Sequence, residues 1–228
     1  MEKLQLDKTK RFERKYVIDQ NKSWIFRNML TNKKFHQIFT KRKVVSLYFD
    51  TIDFKFFKEN IEGVGIRIKP RLRWYQSVSE TNNHPISTTL ELKRKKGFVG
   101  TKLQFNLGKF ENFNDIVKSV KKFDFQNKIS NIIKRQVFPI LITSYDREYY
   151  LSHNKKFRST IDTNLIVSSL QNYSMKLPLN KEILEIKYDT NHDEDFRNTI
   201  TNNNFKFRFQ KFSKYVVGLL NLEKNGLI

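Results

Sequence analysis

Residues 66–74 read IRIKPRLRW, and in that stretch Arg67, Lys69, Arg71 and Arg73 alternate with Ile66, Ile68, Leu72 and Trp74. Side chains two apart on an extended chain share a face, so the segment has one cationic face and one apolar face. The pattern recurs. Arg11, Glu13 and Lys15 interleave with Phe12 and Tyr16; Glu91, Lys93 and Lys95 follow Leu90 and Leu92; Tyr145 and Arg147 lie in a run from Ile140 to Tyr150. Glu185 and Lys187 alternate with Leu184, Ile186 and Tyr188, and Lys206 and Arg208 with Phe205, Phe207 and Phe209. Each segment is predicted to be a strand. One such strand alone fits an open sheet with its charged face in water. Repetition along the chain, with long cations in excess, favours an α+β fold: a closed antiparallel β-barrel with a cationic lumen, its apolar faces meeting surrounding helices.

Helices are predicted at Trp24 to Leu30, Asp53 to Asn60, Asn114 to Lys122, Ile129 to Val137, Asp193 to Thr201 and Phe212 to Leu222. Thr51 or Asp53 is positioned to cap the second and Ser213 the last. Strands and helices mix without a regular βαβ alternation, which separates the chain from doubly wound folds.

Composition narrows the partners. The 228 residues carry 44 Lys+Arg against 23 Asp+Glu, a formal net charge of +21. Such an excess repels itself in a compact state unless an anion offsets it. With 21 Phe a packed core is within reach, and with no Cys there are no disulfides, thiolate metal sites or Cys nucleophiles. Four His, none at metalloprotease spacing, argue against a His-based zinc site. The start, MEKLQLDKTKRF, has no apolar stretch of a secretory signal, and no apolar run is long enough to span a bilayer. A cytoplasmic protein is expected, the whole of residues 1–228 forming one domain.

The seven glycines form neither GxGxxG nor GxxxxGK[ST], and no Ser-His-Asp signature is legible. The chain offers guanidinium and ammonium groups on strands, beside isolated carboxylates. Arg presents a planar fork to phosphate oxygens and Lys a mobile point charge. A ring of them neutralises a triphosphate and stabilises a phosphoryl group in transfer. Mg²⁺ or Mn²⁺ would need one or two carboxylates, for which Glu185, central in LEIKYD, is best placed, with Glu13 and Glu91 behind it.

Eight blocks, in this order, resemble the VTC (vacuolar transporter chaperone) domain of polyphosphate polymerases, within the triphosphate tunnel metalloenzyme superfamily. They are RFERKYVI (11–18), SLYFDT (46–51), PRLRWY (70–75), LELKRKKG (90–97), TSYDREYY (143–150), FRSTIDTNL (157–165), ILEIKYD (183–189) and FQKFSKY (209–215). The resemblance implies a tunnel barrel that takes ATP, transfers its γ-phosphate to a growing polyphosphate chain and uses Mn²⁺ or Mg²⁺. By motif it implies phosphate contact at Lys15. Arg71 and Arg73 resemble the paired tunnel arginines, and Lys93 and Lys102 further phosphate-binding lysines. Tyr145, Arg147 and Arg158 match the next cluster, and Glu185 the metal-binding glutamate. Lys211, Ser213 and Lys214 match the terminal phosphate-binding group, Lys211 acting with the two arginines in catalysis.

Glu13-x-Lys15 is similar to the ExExK signature of the related CYTH branch, but Arg11 stands at the first glutamate position. That departure argues against adenylate cyclase or thiamine-triphosphatase chemistry. No SPX-like sensor or membrane segment is expected beside the domain, so a polymerase here would act as a bare domain or with a separate partner that handles the product, a membrane protein being one candidate. The sequence leaves open a tripolyphosphatase or nucleoside triphosphatase on the same fold, and a non-catalytic polyphosphate-binding module. No specific nucleic-acid partner is expected, because Phe205, Phe207 and Phe209 lie opposite Lys206 and Arg208 rather than beside them.

Overall fold

A computed structural model describes residues 3–7, 11–77, 85–96, 99–171, 173–201 and 207–228. Its strands are β1 (Lys3–Asp7), β2 (Arg11–Asp19), β3 (Phe35–Asp50), β4 (Ile66–Ser77), β5 (Ile86–Lys96), β6 (Val99–Phe110), β7 (Phe138–Ser152), β8 (Phe157–Ser169), β9 (Leu177–Pro178) and β10 (Lys181–Asp189). They form one antiparallel sheet in the order β1-β6-β5-β4-β3-β7-β8-β10-β2, with β9 beside β8. The helices are α1 (Ser23–Asn32), α2 (Lys55–Glu62), α3 (Phe113–Lys121), α4 (Phe123–Ile133), α5 (Asp193–Thr199) and α6 (Lys214–Lys224). No helix among the described residues is long and apolar enough to cross a membrane.

The alternation read from the sequence sorts the two faces. Leu47, Leu72, Trp74, Leu90 and Leu92 leave the sheet on one side and pack with Ile116, Val117 and Val120 of α3 and Ile129 of α4. Farther round, Tyr16, Leu184, Ile186 and Tyr188 meet Phe26 and Leu30 of α1 and Phe196 of α5. Burying each such side chain contributes roughly 1.5–3 kcal/mol. The opposite face carries Glu13, Lys15, Lys69, Arg71, Arg73, Lys93, Arg147, Glu185 and Lys187, all turned into one cavity.

Two expectations about the strands change. The ladder does not close among the described residues. The outer edge of β6 pairs with β1, and at the far end of the sheet the Lys15 carbonyl of β2 accepts from the Gln210 amide instead of from another strand. The sheet curls until β2 approaches β6, without a hydrogen-bonded seam. Second, Phe205 and Lys206 lie outside the described residues, and Phe207 to Gln210 are irregular rather than a strand. Their alternation finds no neighbouring ladder among the described residues; Phe207 instead packs at a tilt against Phe26, with ring centroids 5.0 Å apart.

The inner face is also not cationic along its whole length. Helix α6 enters the curl, and its Tyr215, Leu219 and Leu222 bury against Val44, Tyr48, Leu141, Leu165 and Val167. Gly218 permits this approach, since a Cβ there would lie 3.0 Å from Val167 Cγ2. Helix α4 starts earlier than predicted because its apolar stripe reaches back to Phe125, and it ends where Lys134 turns left-handed at φ 60°. At α2, Thr51 Oγ1 accepts from the Lys55 amide at 2.9 Å. The main cap is Asp50, whose carboxylate accepts from the Phe56 and Phe57 amides at 2.8 and 2.9 Å.

Candidate active site

The cationic part of the curl encloses a cavity of about 370 Å³, roofed by the segment Phe209 to Lys214. Arg71 and Arg73 stand two residues apart on β4 and therefore side by side on its inner face. Arg71 Nε and Nη2 donate to Glu91 Oε2 at 2.8 and 2.6 Å, and Arg73 Nη1 lies 3.5 Å from the same oxygen. The other oxygen, Oε1, accepts from Lys102 Nζ at 2.9 Å and Gln104 Nε2 at 3.2 Å. Glu91 is 2% exposed. Burial pushes its carboxyl up, but Arg71, Arg73 and Lys102 outweigh that and hold it well below the usual range. With both oxygens taken from beneath, Glu91 aims the two guanidinium groups rather than facing the cavity. Arg73 is further fixed by Ser46 Oγ at 3.1 Å and the Tyr145 hydroxyl at 2.9 Å.

A second buried set lies on β7, β8 and α6. Arg147 donates from Nε and Nη2 to Asp162 at 2.6 and 2.8 Å, and Lys214 Nζ donates to Asp162 Oδ2 at 2.5 Å. Both cations stand over the Tyr145 ring, at 5.1 and 4.2 Å from its centroid. Burial alone would raise the Asp162 carboxyl; Arg147 and Lys214 overcome it and hold it at about 2.

The third set pairs two strands. The β2–β10 register puts Lys15 opposite Glu185 and Glu13 opposite Lys187, so the carboxylates are diagonal neighbours on the inner face. Lys15 and Lys187 lie 3.4 and 2.7 Å from Glu185, and Lys93 of β5 reaches across to both oxygens of Glu13 at 2.7 and 2.6 Å. Burial works to raise both carboxyls, yet the lysines keep Glu185 well below its ordinary value and Glu13 at about 2. Both stay charged. They fit a hard divalent ion in a limited sense: one or two carboxylates, the remaining ligands coming from waters and substrate phosphates. Among the described residues no set of three acidic or His side chains gathers to hold an ion unaided.

The roof is stitched to the walls by lysines. Lys15 Nζ donates to the Phe212 carbonyl at 2.9 Å and Lys69 Nζ to Ser213 Oγ at 2.8 Å. Ser213 Oγ in turn accepts from the Val216 amide at 3.4 Å, capping α6. Lys211 lines the cavity beside it.

Of the residues singled out by sequence, Glu13, Lys15, Arg71, Arg73, Lys93, Tyr145, Arg147, Glu185, Lys211, Ser213 and Lys214 converge here. Lys102 and Glu91 form the layer behind. Arg158 is elsewhere: it lines a separate cavity of about 260 Å³ with Arg11, Lys155, Lys156 and His192, joined to the first only through Lys187. Sequence reasoning passed over Tyr48 and Asp162, which sit inside quoted blocks, and gave Arg67 and Lys69 no role. Tyr48 lines the cavity, its hydroxyl 3.5 Å from Arg71 Nη1. Its two-residue spacing from Ser46, on the inner face of β3, was the signal.

Residues 10–223 match the family model described as the VTC domain. No curated protein matches the chain. Among solved structures, a protein of Pyrococcus horikoshii OT3 is similar at 13% identity, with a TM-score of 0.53 over 94% of this chain and 99% of that one. A candidate adenylate cyclase of Vibrio parahaemolyticus is similar at 12% identity and TM-score 0.52, covering 92% of this chain and 97% of its own. A candidate adenylyl cyclase of Hippeastrum, described as having a dominant triphosphatase activity, is similar at 11% identity and TM-score 0.50, covering 96% and 97%. At such identities the likeness is one of fold.

Proposed function

Because this chain belongs to the VTC domain family, we propose that it is a metal-dependent polyphosphate polymerase, transferring the γ-phosphate of ATP to an inorganic polyphosphate chain. The curled sheet and its roof would act together as a tunnel although no ladder completes it. The observation that carries this reading is the imbalance of the chamber: Lys15, Arg71, Arg73, Lys93, Arg147 and Lys214 converge there with only Glu13 and Glu185 as carboxylates among the described lining residues. Arg67, Lys69, Lys187 and Lys211 line it too, so cations outnumber carboxylates even when Glu91 and Asp162 behind the wall are counted. Partly buried cations in such excess favour an anion of high charge density.

In this mechanism a terminal oxygen of the acceptor chain attacks the γ-phosphorus in line. The bond from that phosphorus to the β–γ bridging oxygen breaks, a new P–O–P link forms, and ADP leaves. The chain's own task is positioning and charge stabilisation. Arg71 and Arg73, aimed by Glu91, would hold equatorial phosphate oxygens. Arg147 and Lys214, tied to Asp162, would meet the donor phosphates from the other wall. Lys211 would meet charge developing at the reacting end, and Lys15, Lys93 and Ser213 would hold the anion along its length. Glu185, with Glu13 beside it, would hold Mn²⁺ or Mg²⁺, which would supply charge neutralisation to the phosphates.

The same site runs as a triphosphatase if water replaces the chain end as nucleophile, a reading favoured by the activity described for the Hippeastrum protein of similar fold. Incubation with ATP and Mn²⁺ or Mg²⁺, with products resolved by gel, separates the two. Chains that lengthen with time, and are absent with Glu185→Gln, support the polymerase. Orthophosphate and ADP without chains assign the triphosphatase.

A further inference from the structure

Strand β4 carries cations at four successive inner-face positions, Arg67, Lys69, Arg71 and Arg73, where its neighbours carry mixed residues. Arg71 and Arg73 have a carboxylate behind them, whereas Lys69 does not. Its ammonium faces Lys15 of β2, Lys93 directly opposite on β5, and Arg67 and Arg71 on its own strand. Its hydrogen bond runs to Ser213 Oγ, at 2.8 Å. Among the described residues no carboxylate forms an ion pair with it.

A partly buried ammonium compensated by one hydroxyl and ringed by cations is costly to keep. Burial and the surrounding Lys15, Lys93, Arg67 and Arg71 accordingly hold the Lys69 amine well below its usual pKa. A phosphate oxygen would remove the conflict, and Ser213, already within hydrogen-bond distance, lies where such an oxygen would be shared.

We propose that Lys69 is a phosphate-binding residue of this chamber, engaging the stretch of a polyphosphate chain that extends beyond the phosphates held at Arg71 and Arg73. This rests on the reading of the chamber as a polyphosphate site. Strand geometry sets the scale. Lys69 lies two residues from Arg71 and four from Arg73, or about 7 and 13 Å along β4. A short anion seated on the arginine pair stops short of Lys69, while a chain runs past it. The contribution of Lys69 therefore grows with chain length.

The test is calorimetric titration of the wild-type chain, Lys69→Met and Lys69→Arg with long-chain polyphosphate and with pyrophosphate, at one ionic strength. Loss of a charge-assisted contact is expected to weaken polyphosphate binding by roughly tenfold or more in Lys69→Met. Pyrophosphate affinity should stay within about twofold, and Lys69→Arg should keep most of the chain-length preference. Thermal unfolding without ligand checks the fold: Lys69→Met, relieved of a crowded, partly buried charge, should melt no lower than wild type. Unchanged polyphosphate affinity in Lys69→Met, or equal losses for both anions, would overturn the assignment while leaving the chamber a polyphosphate site. A wild-type chain that binds neither anion would overturn both.

Discussion

Lys93 of β5 donates to both carboxylate oxygens of Glu13 of β2, at 2.7 and 2.6 Å, although these strands share no backbone ladder. The sheet is thus joined across its open side by an ion pair. Lys93→Met should leave Glu13 half-buried and unpaired, beside Glu185, at a cost of about 1–3 kcal/mol. Thermal melting should fall by several degrees. Combining it with Glu13→Gln should recover most of the loss, because the unpaired charge is then gone too. A double variant whose loss equals the sum of the two single losses would deny that the two residues are coupled.

Glu91 and Glu185 are both buried inner-face glutamates, and they should fail differently. Glu91→Gln withdraws the charge beneath Arg71 and Arg73. It should destabilise the fold by roughly 3–5 kcal/mol, since it leaves buried guanidinium groups uncompensated. Wherever the variant is folded, the dependence of activity on metal concentration should be unchanged. Glu185→Gln should shift that dependence to higher Mn²⁺ or Mg²⁺. Activity titrated against metal for both variants checks the division, and a metal shift in Glu91→Gln would move Glu91 into the metal site.

Asp162 gives the fold an acid limit. Arg147 and Lys214 overcome burial to hold its carboxyl at about 2, below the ordinary 3.8. A group depressed in this way contributes stability that is fully present above the ordinary value. That contribution is lost as pH falls through the folded one, here between about 4 and 2. The shift corresponds to about 2 kcal/mol. Urea unfolding across that range should show the loss in the wild-type chain and a shallower slope in Asp162→Asn. Equal slopes would contradict the pairing.

Gly218 sets how closely α6 enters the curl. Gly218→Ala puts a Cβ 3.0 Å from Val167 Cγ2, so the helix or Val167 must shift. Overpacking of this kind costs roughly 1–3 kcal/mol. Lys214, one turn earlier on α6, should move with it, raising KM for ATP. Val167→Ala, which opens the space, should restore KM in the double variant.

The strands were legible where inner-face cations are bracketed by apolar residues that pack outward, as at Lys69, Arg71 and Arg73 of β4 and Lys187 of β10, and that alternation survives in one dimension. The block of β4 was enough to predict its own two faces. The terminal aromatic run failed for a related reason. Phe207 to Phe209 have the alternation but no partner strand beside them, and Phe207 is claimed by Phe26 of α1. The cavity-facing lysines and arginines were visible as residues; which carboxylate aims which cation was not. Sequence reasoning ranks Glu91 behind Glu185 as a metal ligand and passes over Asp162, since the pairing that ties Asp162 to Lys214 and Glu185 to Lys15 comes from elements far along the chain. The entry of α6 into the curl was illegible too, because its apolar face would pack equally well outside a sheet.

The central claim is that the inner-face cations seat a triphosphate. The most direct measurement is a crystal structure with a non-hydrolysable ATP analogue and Mn²⁺. The account predicts the triphosphate between Arg71 and Arg73 on one wall and Arg147 and Lys214 on the other, with the ion against Glu185. Nucleotide bound outside the curl, with Arg71 and Arg73 still held only by Glu91, Ser46 and Tyr145, would contradict it.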